Sequence, residues 1–408
     1  MNYTSTILPN GLTVVHSPSE SPVSYCGFAV KAGTRDEMAH EFGLAHFVEH
    51  MLFKGTDKRK SWHIINRMEN VGGEINAYTT KEETFLYTVC LAEDYERAME
   101  LLGDLINHST FPDSEIEKER EVVIDEINSY LDTPSELIYD EFENIVFDQT
   151  ALGHAILGDE ESLNTFSSGS CRDFVNRHYQ PDNRIFFSVG RTPWKRVIRV
   201  AEKYLGDTQV APSLITSKET LTPASIPGFI RREKDLHQCH VMIGARAYSL
   251  YDPNRLALYL LNNILGGPGM NSRLNISLRE KNGLVYTVDS SVTSYSDTGI
   301  LNIYFGCDKD SRDKCIRLVN KELRRFRDVR LTTSQLNAAI KQWKGQLGIG
   351  TDHRESRALA LGKAFLHHKK YDDLAETYRK IDRITAQQVL AIANELLDES
   401  KLFTLIYE

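Results

Sequence analysis

The stretch "QCHVMIGARAYSLYDPNRLALYLLNNILGG", residues 238–267, decides the fold of this 408-residue chain, because the chain has used the same plan once before. It reads as an apolar strand, a turn, an apolar helix and a closing pair of glycines. The earlier version starts at "VSYCGFAVKAGTRDE", residues 23–37, and ends at "HFVEHMLFKG", residues 46–55. Two more pairs follow. "TGILNIYFGCDKDSRDKCIRLVNKELRRF" (298–326) mirrors "ETFLYTVCLAEDYERAMELLGDLINHSTF" (83–111), and "TTSQLNAAIKQWKGQL" (332–347) mirrors "PDSEIEKEREVVIDEI" (112–127). Ser114 and Ser334 stand 220 residues apart, and Phe53 and Leu265 stand 212 apart. Two copies at such a period predict a duplicated domain, not a solenoid.

Within each copy, strands alternate with helical patterns. "EINAYTTKEETFLYTVCL" reads as two strands joined by a polar "TTKEE" turn, and "PDSEIEKEREVVIDEINSYL" as a long charged amphipathic helix. The fold class expected is α+β: two homologous domains, each a mostly antiparallel sheet covered by helices. Between the copies, "GDTQVAPSLITSKETLTPASIPG" (206–228) is rich in Pro, Ser and Thr and has no periodicity. The expected boundaries are therefore 1–208, a linker at 209–227, and 228–408.

The bulk properties exclude several classes. The chain is 41% hydrophobic and 26% charged, as a soluble globular protein is. A net charge of −9 argues against nucleic-acid binding, which needs basic patches. No apolar run approaches the ~18 residues of a membrane span. "MNYTSTILPNGLTVV" lacks the charged region and apolar block of a secretion signal. None of the six cysteines forms a C-x-x-C pair, which predicts buried free thiols in a reducing compartment, the cytoplasm.

The two copies differ at informative positions. At the 212 offset, His46, Glu49 and His50 face Leu258, Leu261 and Asn262; at the 220 offset, Glu126 faces Gln346. The second copy keeps the helix without its ionisable groups, so the helix does not need them to fold. On a helix, His46 and His50 lie one turn apart on one face and can reach a single metal ion. Glu49 lies between them and can point at a water on the same ion. This is the H-x-x-E-H pattern. Two imidazoles suit zinc, and a carboxylate completes three protein ligands, leaving the fourth position open. The helix "EIEKEREVVIDEINSY" offers Glu119 and Glu126, seven apart and on one face. Glu126 is the better ligand candidate, because Val122, Val123 and Ile127 are expected to bury its stretch of helix. Glu119 suits a hydrogen bond to a ligating histidine. "HQCH" (237–240) has no ligand spacing for a closed site, and His367 and His368, beside Lys369 and Lys370, are expected to be solvated.

These residues resemble the pitrilysin/insulinase family of zinc peptidases, in particular its short branch with mitochondrial processing peptidase and its bacterial relatives. The resemblance spans essentially the whole length. HFVEH matches the family motif, Glu126 stands at the distal ligand position and Glu119 at that of the acid that holds a ligating histidine. "GGEINAYTTKEET" is similar to the segment whose edge strand binds substrate backbone, which implies that role for Ile75, Asn76 and Ala77. "SRLNISLREKNGLVYTV" is similar to the segment carrying an arginine/tyrosine pair, giving Arg279 and Tyr286, whose implied role is to bind the substrate carbonyl. "LGHAILGDEESL" and "FVNRHYQPDNRIFFSVG" are also family-like. "GGPGM" (266–270) resembles a shortened glycine-rich loop of the processing peptidase's partner subunit, or is a plain turn. "VGRTPWKR" departs from the family, which more often carries an acidic residue after the glycine.

The resemblance implies a zinc metalloendopeptidase with one zinc per chain, closing as half of a clamshell chamber on peptides or unfolded segments. Glu49 would be the general base. The alternative is a non-catalytic scaffold or chaperone-like subunit, which would typically have lost a ligand, the base or the Arg/Tyr pair; a small-molecule metallohydrolase would need no edge-strand site. Double-length relatives carry four copies of this domain, with the metal motif in the first and the Arg/Tyr pair in the fourth. This chain carries two copies and each motif once, which implies a homodimer with Arg279 and Tyr286 supplied in trans.

Overall fold

In the computed structural model, which describes residues 2–206 and 227–408, the chain forms two compact units. The first half begins with strands β1 (Thr4–Ile7), β2 (Thr13–Pro18) and β3 (Val23–Val30), then helices α1 (Leu44–Met51) and α2 (Ser61–Glu69). The hairpin β4 (Glu74–Thr79) and β5 (Thr84–Leu91) follows, then α3 (Tyr95–His108), α4 (Asp113–Leu131) and α5 (Pro134–Val146). This half ends with α6 (Glu160–Leu163), α7 (Ser168–His178), β6 (Arg184–Gly190) and α8 (Trp194–Leu205). The second half runs β7 (Phe229–Arg232), β8 (Cys239–Ala247), α9 (Arg255–Gly266), β9 (Val285–Ser294), β10 (Gly299–Cys307) and α10 (Arg312–Asp328). It closes with α11 (Thr333–Gly350), α12 (Arg354–His368), α13 (Leu374–Ile381), α14 (Ala386–Leu396) and β11 (Phe403–Tyr407).

The sheet orders carry the duplication. One sheet runs β1-β2-β6-β3-β5-β4 and the other β7-β11-β8-β10-β9. Dropping β1, the two orders are the same under the pairing of β2 with β7, β6 with β11, β3 with β8, β5 with β10 and β4 with β9. In each, one parallel pair, β2 with β6 or β7 with β11, sits in an otherwise antiparallel sheet. Strand length and β-branched or aromatic content suit central strands buried on both faces: every residue of β6, "RIFFSVG", is buried. The expected α+β class with two homologous sheets is what the chain adopts.

The compact units do not follow the two sequence halves throughout. Residues 350–372, which hold α12, belong to the unit of the first sheet, and residues 129–153, which hold α5, belong to that of the second. Each sheet is therefore covered on one face by its own half's helices and on the other by a helix contributed by the other half. α12 lays Ala358, Leu361, Phe365 and Leu366 on Val15, Phe85 and Phe187 of the first sheet. The contact is close enough that a Cβ on Gly362 would meet the Phe187 ring at 2.8 Å. α5 lays Leu137, Ile138 and Phe142 on Met242, Tyr304 and Leu405 of the second sheet. The linker expected at 209–227 lies outside the described residues except for residue 227.

Two expectations from the sequence change. The "TTKEE" segment does join β4 to β5, but Lys81, Glu82 and Glu83 are buried. They are tolerated because each is paired: Glu82 with Arg35 at 2.7 Å, Glu83 with Lys363 at 2.8 Å, and Lys81 with the carbonyl of His154. His367 is not solvated. Its Nε2 lies 2.6 Å from Oε1 of Glu83. Burial opposes the Glu83 charge, yet His367 and Lys363 outweigh it and hold the carboxyl below its ordinary range. All six cysteines are buried free thiols. No helix of the described residues is long and apolar enough to cross a membrane.

Candidate metal centre

The site is built on α1, and α1 is fixed at its first turn. Gly43, its N-cap, has φ +94°, the left-handed region open to glycine. A Cβ there would also meet the carbonyl oxygen of Leu157 at 2.6 Å. Helix starts leave backbone N–H groups without partners. Here the two oxygens of buried Glu37 accept from Gly43 N–H at 3.0 Å and Ala45 N–H at 2.7 Å. His154 Nε2 stands 3.0 Å from the same carboxyl. Below this cap, Leu44, Phe47, Val48 and Met51 are fully buried in the first unit's core. That packing leaves the remaining face of the helix to His46, Glu49 and His50.

α4 supplies the second wall. Glu119 and Glu126 lie two turns apart on it, and both face α1. Oε2 of Glu126 stands 3.6 Å from Nε2 of His50 and 3.9 Å from Nε2 of His46. The three ligand atoms lie within 4.8 Å of one another. Oε1 of Glu119 lies 2.9 Å from Nδ1 of His50, and its other oxygen lies 2.5 Å from Nζ of Lys54. So Glu119 holds the far nitrogen of His50, which leaves Nε2 and its lone pair directed at the group. The reason given above for preferring Glu126 is corrected. Val122 is 49% exposed and the Glu126 side chain 45%, whereas Glu119 is the buried acid. Glu126 is the ligand candidate through its position, not through burial.

This donor set fits a zinc ion. Ligand atoms at ~2.0–2.2 Å around a tetrahedral ion stand about 3.3–3.6 Å apart, and the two carboxylate–imidazole separations here, 3.6 and 3.9 Å, are near that range. Burial, with the neighbouring His50, lowers the His46 pKa to about 3, so its imidazole is neutral and free to ligate. Burial also works against a charged His50, but the hydrogen bond to Glu119 and the negative field of Glu49, Glu119 and Glu126 raise it above its ordinary range. A cation among these groups would satisfy the same field.

Glu49 is 8% exposed and accepts a 2.6 Å hydrogen bond from Oγ1 of Thr79. Burial raises its carboxyl above the ordinary range, partly offset by that hydrogen bond. Thr79 ends β4, which pairs with β5 alone and so is an edge strand. Ile75 and Ala77 of β4 pack on the first core, and Asn76, between them, is exposed on the other face. Sequence reasoning missed Thr79, Lys54 and Glu37; the only signal for them was their nearness in sequence to the metal helix or to the edge-strand segment.

Arg279 and Tyr286 belong to the second unit. Arg279 sits in a π-helical turn, Asn275–Glu280, and Tyr286 near the start of β9. The structure brings the pair together, with the guanidinium carbon 5.9 Å from the ring centre. Tyr286 is 84% exposed.

A family model described as insulinase, peptidase family M16, matches residues 13–160, and one described as the peptidase M16 inactive domain matches 165–343. His46, Glu49, His50 and Glu126 all lie in the first stretch. An uncharacterized zinc protease of Bacillus subtilis is 31% identical over 403 residues, covering 97% of this chain and 96% of its own. Another, from Mycobacterium leprae, is 30% identical, covering 97% of this chain and 89% of its own. A protease from Helicobacter pylori has the same fold, with a TM-score of 0.90 at 20% identity, covering 100% of this chain and 99% of its own. So has a peptidase M16 inactive domain from Pseudomonas fluorescens, with a TM-score of 0.92 at 20% identity over 100% of this chain and 98% of its own.

Proposed function

The chain belongs to the insulinase family of peptidases, family M16, and on that footing we propose that it is a zinc-dependent metalloendopeptidase acting on peptides or unfolded polypeptide segments. The observation that carries this reading is the convergence of His46, His50 and Glu126, with Glu49 on the same helix as the two histidines. A bound zinc would supply Lewis acidity and lower the pKa of water in the site. His46, His50 and Glu126 would hold it, and Glu119 would fix the orientation of His50. Glu49 takes the proton of the attacking water and returns it to the leaving amine. Its raised carboxyl pKa suits a group that must both accept and give back a proton. Thr79 aims that carboxylate. β4 offers unpaired main-chain groups to an extended substrate, which would add as a strand alongside Ile75, Asn76 and Ala77. That mode reads main chain and leaves side-chain selectivity loose. Arg279 and Tyr286 are donors suited to the carbonyl oxygen as charge develops on it.

The test is zinc content by atomic absorption with cleavage of a quenched peptide, for wild type and Glu49→Gln. Zinc-loaded wild type that cleaves, and a zinc-loaded variant that does not, support the proposal. Zinc-loaded wild type that cleaves no member of a mixed peptide library would favour the non-catalytic subunit.

A further inference from the structure

In the second unit a pocket of about 270 Å³ lies between the end of α9, the loop that follows it and one face of α11. Gln335, Ala338, Ala339 and Gln342 recur at helical spacing along that face. The loop's Asn271 is tied to Gln342 by two reciprocal amide hydrogen bonds of 3.0 Å, which fix the loop against the helix. None of the residues lining the pocket is acidic, and Arg273 is its one cation.

Arg273 is in an unusual state for a half-buried guanidinium. It stacks on the Phe326 ring at 3.8 Å, yet among the described residues it has no hydrogen-bond acceptor and no ion-pair partner. Glu322, whose charge acts on it, pairs instead with Arg325 at 3.9 Å. Beside it, Ser272 is 4% exposed and its hydroxyl is also unpartnered. A guanidinium carries N–H donors in a planar fork, and here Nη1 is buried without a partner, which is costly in a partly dry site. Burial, then the neighbouring Arg325, depress the Arg273 pKa, which expresses the same cost. An anion would remove it.

The pocket's dimensions and lining narrow the anion. Its volume falls just below the ~300–1,000 Å³ of ordinary small-molecule sites, too small for a nucleotide and right for one amino-acid residue. A single fork pairs with a single carboxylate through two parallel hydrogen bonds. The Asn271 and Gln342 carboxamides are paired with each other and Gln335 accepts from the Thr332 N–H, so the Asn263 carboxamide and the remaining amide hydrogens of the other three are what can meet an amide or amine next to that carboxylate. Ile264, Leu331 and Ala339 offer a short aliphatic surface.

We propose that this pocket binds the α-carboxylate of one aliphatic residue on the Arg273 guanidinium, the ligand being a free amino acid or the C-terminal residue of a peptide. Binding here does not depend on the metal centre, so the peptidase reading and this one fail separately.

The experiment is titration calorimetry of the full chain with L-leucine, N-acetyl-L-leucine and N-acetyl-L-leucinamide. Saturable binding of either acid is expected. Preference for leucine identifies a free amino acid, and preference for the acetylated acid identifies a peptide C-terminus. The amide, lacking the carboxylate, should bind at least about tenfold more weakly. Arg273→Gln should weaken the acid by at least about tenfold. Ala338→Phe, at an exposed position of α11 where a larger side chain disturbs no core, should do the same by filling the pocket. No saturable binding of either acid up to about 10 mM would overturn the proposal. So would an amide that binds as tightly as its acid, or binding undiminished in a folded Arg273→Gln or Ala338→Phe chain.

Discussion

His50 is held from two sides, by Glu119 at Nδ1 and toward Glu126 at Nε2, and this division of labour separates the acids of the site. Glu126 meets both imidazoles and, among the described residues, has no other ion pair or hydrogen bond, so Glu126→Gln should lower zinc content measured after dialysis. Full zinc and full activity in that variant would remove Glu126 from the site. Glu49 meets no ligand atom, so Glu49→Gln should keep its zinc and lose ~10²–10⁴-fold in kcat. If instead Glu49→Gln lost the metal and Glu126→Gln kept it, the two roles would be exchanged. Thr79→Val keeps the shape of the side chain and removes the donor to Glu49. A lost hydrogen bond to a charged group corresponds to roughly tenfold, expected in kcat with KM little changed. An unchanged kcat would mean that the edge strand does not aim the base.

At the scale of elements, α1 and α12 make unlike demands. α1 depends on its entry. Gly43→Ala would place a Cβ in a left-handed conformation and against Leu157, and should destabilise the chain by ~1–3 kcal/mol, with zinc affinity falling as the helix start shifts. Thermal unfolding with and without added zinc reads both effects. α12 depends on its face. Leu361 is fully buried on the first sheet, so Leu361→Ala should cost ~2–5 kcal/mol although it lies in the second sequence half. Hydrogen exchange should locate the loss in β3 and β6; protection lost only in the second sheet would contradict the exchange of helices. Much of this was legible in the sequence. The i, i+4 histidines, the seven-residue spacing of Glu119 and Glu126 and the duplicated strand-helix plan are local periodicities, which a sequence displays directly. What was not legible depends on distant partners. An amphipathic pattern says that α5 and α12 each have a buried face, but not which sheet receives it. His367 looked solvated beside two lysines because its partner, Glu83, is 284 residues away. Glu126 was favoured on the strength of apolar neighbours, one of which, Val122, points to solvent.

At the scale of the whole chain, duplication followed by divergence explains why the chemistry is unevenly spread. Both units keep the sheet order, but the first holds the histidine–carboxylate group and the second holds Arg279 and Tyr286. The first unit also buries His16 and half-buries His178; burial, for His178 with the neighbouring Arg177, lowers each pKa to about 4. Their folded values lie below the ordinary 6.5, so between about pH 4 and 6.5 the unfolded chain binds more protons, and stability falls as pH drops through that window. His178→Gln should flatten the fall by ~1–3 kcal/mol between pH 7 and 5 in urea titrations; an unchanged slope would show that His178 is not neutral in the fold. The division of motifs makes a sharper prediction. By the resemblance to four-copy relatives, Arg279 and Tyr286 correspond to the copy opposite the metal-bearing one, so a homodimer would supply them in trans. A chain carrying Glu49→Gln and a chain carrying Tyr286→Phe should each be nearly inactive alone. In a mixed dimer acting in trans, one site carries both defects and the other carries none, so half the sites of each mixed dimer should work. If each chain's own Arg279 and Tyr286 serve its own zinc, every site in the mixture carries a defect. Peptide cleavage should then stay at the level of the single variants, even where native mass spectrometry shows that the subunits have exchanged, and that result would rule out the shared site.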